Sequence, residues 1–242
     1  MGESKRKQKT ALAQAAEAMV VDTLGGRMHV QWDETAQATP NGQLVFFAEF
    51  LAATGVFDRW VQECPLSYTS GNAPTKRDVL GTLVLAILAG HRRYAHVTAL
   101  RGDAVAAQAL GLNRVVSEDA LRRALSRFDE ASSAKWLRPA LLSSVRDALD
   151  QPWVLDIDAS IKPLYGRQTE GAALGYNPHK PGRPRHVLHT YWVGNLRLVL
   201  DVQVSPGKQP SSAQAKAGLT RLLEELGDRR PALVRGDSQL RQ

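Results

Sequence analysis

Two aspartates end two short apolar runs of this chain, and both are candidate ligands of a divalent metal ion. Asp158 is the last residue of the run 153–158, and Asp237 is the last residue of the run 232–237. Carboxylates at the ends of neighbouring strands can hold a divalent cation, because oxygen ligands on rigid elements leave coordination positions open for a phosphate group. The sequence therefore predicts a metal site that contains Asp158 and Asp237.

Other interpretations of these carboxylates remain open. Asp156 and Asp158 lie two positions apart on one predicted strand and so project from the same face, which could be only the solvated face of an edge strand. Three of the four residues 154–157 are apolar, however, and a strand buried on both faces should not carry carboxylates without partners. Asp237 could be a turn residue after Gly236. Asp156 is an alternative to Asp158 as the first metal ligand.

A basic stretch from residue 162 to residue 189 separates the two runs, and Glu170 is its one acidic residue. Three prolines and two glycines in its central block, residues 175–186, prevent a regular helix or a central strand. It is either a solvated flexible loop or a loop that binds DNA phosphates while its aromatic rings stack on bases. The length of the stretch favours the DNA-binding interpretation, because long loops without regular structure are uncommon in compact domains unless they are functional. The predicted DNA contacts are Lys162, Arg167, Lys180, Arg183 and Arg185.

The hydrophobic period divides the chain into three predicted parts. Residues 1–42 are expected to be a flexible N-terminal segment. Residues 43–150 show the three-and-four spacing of helices, and DNA binding is one hypothesis for this helical domain. From residue 151 the period changes to that of strands. The expected order there is a strand, the long insertion, a hairpin with a tight turn at Gly194–Asn195, a helix and a final strand that ends at Asp237. We expect the first and final strands to be adjacent and parallel, because the hairpin and the helix form the connection between them.

Composition narrows the class of protein. The chain has 242 residues and a formal net charge of +7, which favours a polyanionic partner only weakly. Cys64 is its single cysteine, so the sequence offers no internal disulfide. It shows neither an apolar run of membrane-spanning length nor a signal core. We therefore expect no membrane partner and a cytoplasmic, nucleoid-associated location. The histidines of the basic stretch are not spaced as a zinc site.

Several motifs resemble the DDE-type transposases of bacterial insertion sequences, whose catalytic domain has a ribonuclease-H-like fold. The likeness covers most of the chain, and the Gly-Tyr-Asn-Pro block at residue 175 is specific to one branch of these enzymes. The motifs that carry it are residues 155–160, 162–166, 175–186, 195–197 and 234–238.

The resemblance implies a fold, a mechanism and site residues. The fold class would be α+β, with an N-terminal helical domain followed by an incomplete ribonuclease-H-like domain over residues 151–242. In the family, Asp158 matches the first metal-binding aspartate and Asp237 the second. The implied chemistry is DNA transposition by two-metal phosphoryl transfer with Mg²⁺ or Mn²⁺, the ions lying roughly 3.5–4 Å apart. The implied partners are DNA at the transposon ends and either a second copy or an intact transposase subunit.

The family's third acid, usually a glutamate from a later helix, has no match here. Five residues follow Asp237, and none is a glutamate. We therefore expect a truncated, inactive transposase copy. Two other hypotheses stay open: a DNA-binding remnant that acts as a non-catalytic inhibitor, and a helical interaction protein whose acidic strands are only structural. Salt-dependent DNA binding without cleavage would support the former. The absence of DNA binding, together with distant aspartates, would support the latter.

Overall fold

The computed structural model describes residues 19–23, 26–30, 39–165, 169–178, 180–208 and 211–236. Asp237 and Arg167, both predicted site residues, lie outside these ranges. The chain divides into two compact units, one of Met1–Phe50 with Pro74–Arg123 and the other of Leu51–Ala73 with Ala124–Gln242. None of the helices in the described ranges has the length and apolar character needed to cross a membrane.

From residue 43 onward, helices and strands follow the predicted order along the chain. The helices are α1 (Leu44–Thr54), α2 (Val56–Glu63), α3 (Lys76–Leu88), α4 (Val97–Leu100), α5 (Ala104–Ala109), α6 (Glu118–Leu125), α7 (Glu130–Val145) and α8 (Ser211–Leu226). The strands are β1 (Met19–Thr23), β2 (Gly26–Val30), β3 (Val154–Pro163), β4 (Arg185–Val193), β5 (Leu198–Pro206) and β6 (Leu233–Gly236). The antiparallel pair β1–β2 lies within residues 1–42, where the sequence predicts a flexible segment and no strand.

The first unit contains the antiparallel pair β1–β2 and helix α3. Thr75 caps this helix, because its hydroxyl accepts a hydrogen bond from the backbone N–H of Asp78 at 3.0 Å. Three apolar side chains of the helix, Val79, Leu80 and Leu85, are at most 1% exposed. The apolar α3 is thus a buried helix of its unit.

The second unit contains a mixed four-stranded sheet of order β5-β4-β3-β6. Strand β4 is antiparallel to both β3 and β5, whereas β3 and β6 are parallel neighbours. The parallel pairing of the runs that contain Asp158 and precede Asp237 is as the sequence predicts. Together with the helices, this mixed sheet confirms the predicted mixed α/β fold class.

One face of the sheet packs on helices. The alternating β3 residues Leu155 and Ile157 belong to a buried cluster with Tyr191 of β4 and with Leu222 and Leu226 of α8. Their side chains are at most 7% exposed. Because side chains alternate along a strand, Asp156 and Asp158 lie on the opposite face of the sheet.

The turn between β4 and β5 differs from the tight two-residue turn that the sequence predicts. It covers residues 194–197, and Arg197 takes a positive φ of 56°. The side chain of Asn195 is used elsewhere, because its Oδ1 accepts a hydrogen bond from the backbone N–H of Val154 at 3.1 Å. The turn therefore attaches to the start of β3 instead of closing in two residues.

Tyr191 provides a test of the buried face of this sheet. Its hydroxyl donates to the carbonyl oxygen of Ala215 at 2.9 Å. Burial, with a smaller effect of the Asp201 carboxylate, raises its pKa to about 12. The protonated form is favoured in the folded state, so this group's contribution to stability is complete below about pH 10 and is lost as the pH rises to about 12. We expect a late phase near pH 12 in the tyrosinate absorbance titration.

Replacement of Tyr191 by phenylalanine should remove that phase. The matched control is Tyr165→Phe, which removes a tyrosine whose side chain is 66% exposed and should leave the phase in place. A late phase that survives in Tyr191→Phe would contradict the assignment.

Candidate active site

Asp158 lies on β3 on the face of the sheet away from the buried cluster, and its side chain is exposed. The hydroxyl of Ser160, two positions along the same strand, lies 3.4 Å from Asp158 Oδ2 and donates to it. The carboxylate keeps further lone pairs open to solvent. Asp158 therefore has the oxygen chemistry and the accessibility that a hard divalent cation requires.

Strands β3 and β6 pair up to the residue before each predicted ligand. Leu155 pairs with Val234, and Ile157 pairs with Gly236. Asp158 follows Ile157, and Asp237 follows Gly236 in the sequence. The two strands are thus brought together as predicted, and the position of the Asp237 carboxylate remains a prediction.

Asp156, the alternative first ligand, forms an ion pair with an arginine. Arg235 of β6 donates from Nε to Asp156 Oδ1 at 2.6 Å and from Nη2 to Asp156 Oδ2 at 2.7 Å. The hydrogen bonds from Arg235, and its positive charge, hold the pKa of Asp156 below its usual value. Each carboxylate oxygen of Asp156 accepts a hydrogen bond, and its side chain is 21% exposed. Asp158 is exposed and is therefore the more accessible of the two aspartates on this strand.

The fit of a metal ion to the described residues is incomplete. In the ranges that the structure describes, no three histidine, cysteine, aspartate or glutamate side chains form a group that could hold an ion. Asp158 supplies an open carboxylate there, and Asp237 lies outside those ranges. The donor set found so far fits a hard cation in its chemistry and lacks the number of ligands that such an ion needs.

The basic stretch begins as an extension of the sheet. The pairing of β3 with β4 continues to Pro163 and Arg185. Beyond it, the backbone N–H of Leu164 donates to the carbonyl of Pro184 at 2.8 Å. Within the loop, the buried side chain of Asn177 accepts from the backbone N–H of Lys180 at 3.0 Å. These bonds give the described part of the loop a defined backbone.

The predicted DNA contacts differ in exposure. Lys162, Lys180 and Arg183 are exposed. The guanidinium group of Arg183 lies 4.7 Å from the centre of the Tyr165 ring, a cation–π geometry that leaves its N–H groups available to a phosphate. Tyr165 and Tyr176 are each 66% exposed. The loop therefore presents bases and aromatic rings on one surface segment.

Arg185 is different from the other bases. Its side chain is half-buried, and its Nε atom is buried without a hydrogen-bond partner in the described residues. A Cβ added to Gly175 would lie 2.6 Å from that Nε and 2.7 Å from the carbonyl oxygen of Gly207. The guanidinium group thus fills space that Gly175 leaves open, which gives Arg185 a packing role beside its predicted DNA contact.

Comparisons with known proteins address the family. A family model described as "Transposase DDE domain group 1" matches residues 27–241. The chain belongs to this family. Its function is therefore that of a DDE-type transposase, a class that uses divalent metal ions, and the resemblance in the sequence motifs is confirmed.

Two other comparisons add little. No curated protein matches the chain. A solved structure described as the mariner Mos1 paired end complex with Mg is similar at 13% identity, over 83% of this chain and 72% of that chain, with a TM-score of 0.22. A likeness at that TM-score carries no argument about the site.

Sequence reasoning missed Arg235 as a residue of the site. The signal was present in the spacing, because Arg235 stands two positions before Asp237, as Asp156 stands two positions before Asp158. On parallel neighbouring strands, that equality places the two residues on one rung of the sheet.

Proposed function

We propose that Asp158 and Asp237 are two of the ligands that hold Mg²⁺ or Mn²⁺ in a site of the kind that DDE-type transposases use for DNA strand cleavage and joining at the ends of an insertion sequence. The observation that carries the proposal is the parallel register of β3 and β6. The register is described up to Ile157 and Gly236, and its continuation by one residue would bring Asp158 beside Asp237. Two carboxylates at the same end of adjacent parallel strands are within reach of one cation.

The residues of this chain divide the work. When bound, the divalent cations activate an oxygen nucleophile and stabilise the leaving oxygen of the phosphodiester. Asp158 would hold the ions from β3 and Asp237 from β6. Ser160 orients the Asp158 carboxylate through its hydroxyl hydrogen bond, which restricts the rotamers from which the carboxylate can bind.

The exposed lysine and arginine side chains of the loop would hold the DNA backbone. Lys162 stands on β3 four residues beyond Asp158, on the same face of the strand. At about 3.3 Å per residue, roughly 13 Å separates them along the strand. A duplex whose scissile phosphate lies at Asp158 would extend over this part of the loop, where Lys180 and Arg183 add positive charge. The partner that this charge favours is DNA.

Iron-directed cleavage of the protein chain tests the metal site without relying on catalysis. Bound Fe²⁺ reduces added hydrogen peroxide to hydroxide and a hydroxyl radical, and ascorbate returns the resulting Fe³⁺ to Fe²⁺. The radicals cut the backbone close to the bound iron. We expect cuts near residues 158 and 237 that excess Mg²⁺ suppresses and that Asp158→Asn removes. Cuts confined to other segments, or cuts that Asp158→Asn leaves unchanged, would contradict the proposed ligands.

The loop makes a separate prediction about DNA affinity. Replacement of Lys162, Lys180 and Arg183 by alanine should lower the slope of log affinity against log salt concentration by about two to three units, because each phosphate contact contributes about 0.9. The measurement is fluorescence anisotropy of a labelled duplex at several salt concentrations. Arg185 is left intact, because its packing against Gly175 would confuse binding with folding.

The matched control removes the same charge elsewhere. Lys135, Lys216 and Arg230 are exposed residues of the same unit outside the loop. Their joint replacement by alanine should leave most of the slope in place. Equal slopes for the two triple variants would mean that the loop residues do not contact the DNA phosphates and act only through the net charge of the protein.

A further inference from the structure

An ion pair joins the two strands that carry the proposed metal ligands, one rung before those ligands. Asp156 of β3 and Arg235 of β6 are direct partners in the parallel register. Their two hydrogen bonds, at 2.6 and 2.7 Å, form a bidentate fork. Asp156 stands two positions before Asp158 and shares its face of the sheet. Arg235 stands two positions before Asp237 in the sequence.

The strand that the pair holds is short and exposed. Strand β6 has four residues, and all of them are exposed. It pairs with β3, at the end of the sheet order. The backbone N–H of Ala232, just before it, donates to the carbonyl of Trp153 at 2.9 Å. An edge strand of this length has few backbone hydrogen bonds with which to resist fraying. A side-chain ion pair near its C-terminal end therefore contributes much of what holds β6 against β3.

Gly194 leaves the space in which the pair sits. A Cβ at this glycine would collide with the Asp156 carboxylate and would lie 2.9 Å from Arg235 Nη2. The turn that contains Gly194 is attached to β3 on the other side, because its N–H donates to the carbonyl of Val154 at 2.9 Å. Three segments of chain therefore meet at the pair: β3, β6 and the turn after β4.

We propose that Asp156, Arg235 and Gly194 form a register clamp that sets the distance and orientation between the carboxylates of Asp158 and Asp237. This inference rests on the proposed function of those two aspartates. Asp156 and Arg235 are positioning residues in it, and neither binds the metal ion. The clamp fixes the rung before the ligands, so a shift of β6 by one residue would break the ion pair and move Asp237 to the other face.

In this proposal Asp156 positions the two strands, whereas the alternative interpretation makes it a metal ligand. In a ligand role, the Asp156 carboxylate would bind the ion directly, through lone pairs that its two hydrogen bonds from Arg235 leave open. A charge exchange between the two positions distinguishes these roles. Asp156→Arg combined with Arg235→Asp keeps an ion pair on the same rung, whereas it removes the carboxylate from position 156.

The experiment compares wild type, Asp156→Asn, Arg235→Gln and the charge-exchange double variant. One measurement is Mn²⁺ affinity, read from the electron paramagnetic resonance signal of free Mn²⁺. The other is hydrogen exchange of the peptide that covers residues 233–236, measured without metal. We expect each single variant to weaken Mn²⁺ binding by about tenfold or more, the scale on which outer-sphere partners act, and to speed exchange in β6. The double variant should restore both to within about threefold of wild type.

A further pair of variants tests the space at Gly194. Gly194→Ala should weaken Mn²⁺ binding and speed β6 exchange, as the single charge variants do. The matched control is Gly71→Ala in the same unit, because a Cβ there would meet nothing within 4 Å. That control should behave as wild type in both measurements.

Each other outcome has a distinct meaning. Restored β6 exchange with Mn²⁺ affinity still low in the double variant would make Asp156 a ligand and overturn the clamp. Unchanged Mn²⁺ affinity in the single variants would reduce the pair to a local structural contact. If wild type binds no Mn²⁺, the proposed metal site is wrong. In that case, equal hydrogen exchange of β6 in all variants would overturn the clamp as well. Faster exchange in the single variants, restored in the double variant, would show that the ion pair holds β6 against β3 without positioning a metal site.

Discussion

Replacement of Asp158 by asparagine is expected to remove any metal-dependent strand cleavage and to weaken Mn²⁺ binding by more than about tenfold. The amide keeps the size of the side chain and its hydrogen bond with Ser160, but it removes the negative charge that attracts a divalent cation. A tenfold loss corresponds to about 1.4 kcal/mol of binding free energy. Electron paramagnetic resonance of free Mn²⁺ measures the affinity, and DNA that carries the insertion-sequence ends is the substrate for cleavage.

The control for this variant is an exposed aspartate of the same unit that lies outside the sheet, in the short helical turn Arg146–Asp150 before β3. Asp147→Asn removes the same charge and should bind Mn²⁺ as wild type does. Thermal unfolding of Asp158→Asn should stay close to wild type, since the carboxylate is exposed and its one hydrogen bond, from Ser160, is long. Full Mn²⁺ affinity in Asp158→Asn would contradict its assignment as a ligand.

Much of the sheet could be predicted from the sequence because its signals are local. The alternation of residues 153–158 identifies β3, and the connection through a hairpin and a helix predicts a parallel return strand beside it. Thr75 before α3 is similarly local, because a hydroxyl that caps a helix needs only the next three residues. These elements appear where the sequence places them.

The ion pair of Asp156 with Arg235 could not be predicted in the same way, because it depends on the register between segments 79 residues apart in sequence. Arg185 shows the same limit. In the sequence it is one more base of a basic stretch, but in the structure its guanidinium group occupies the space beside Gly175. Composition identifies a basic loop. Only the packing in the folded structure distinguishes the basic side chains that face solvent from Arg185, which supports the loop.

Asp201 on β5 is a third residue whose role depends on tertiary structure. The register of β4 and β5 shifts between Tyr191 and Trp192, so that Tyr191 pairs with Asp201 and Trp192 pairs with Val199. Leu200 is the extra residue of this bulge, and both Leu200 and Asp201 are buried, at 0% and 4% exposure. Strict alternation would send one of them to the solvent face. The bulge therefore turns an acidic side chain toward the helices.

Two arginines from different helices neutralise that buried acid. Arg138 of α7 donates from Nε to Asp201 Oδ1 at 3.2 Å, and Arg221 of α8 donates to Asp201 Oδ2. The side chain of Asp201 is 5% exposed, and those of Arg138 and Arg221 are 24% and 30% exposed. A single carboxylate thus connects both helices to the sheet whose other face carries Asp158.

Replacement of Asp201 by alanine is expected to lower the free energy of unfolding by about 3 kcal/mol. The loss arises because two largely buried guanidinium groups remain without their shared counter-ion, and breaking a buried pair on one side costs roughly 3–5 kcal/mol. The lower end applies because both arginine side chains retain some contact with water. Urea unfolding followed by circular dichroism gives the free energy, provided that the transition has a single step.

The matched control is an ion pair of the same unit that lies in solvent. Arg229 Nε lies 2.9 Å from Asp150 Oδ1, and the two side chains are 34% and 59% exposed. Asp150→Ala should change the free energy of unfolding by less than about 1 kcal/mol, as is usual for exposed pairs. Similar small losses for Asp201→Ala and Asp150→Ala would mean that water replaces the Asp201 carboxylate. The bulge at Leu200 would then be a feature of the sheet's geometry and not a connection that holds the helices beneath the proposed metal site.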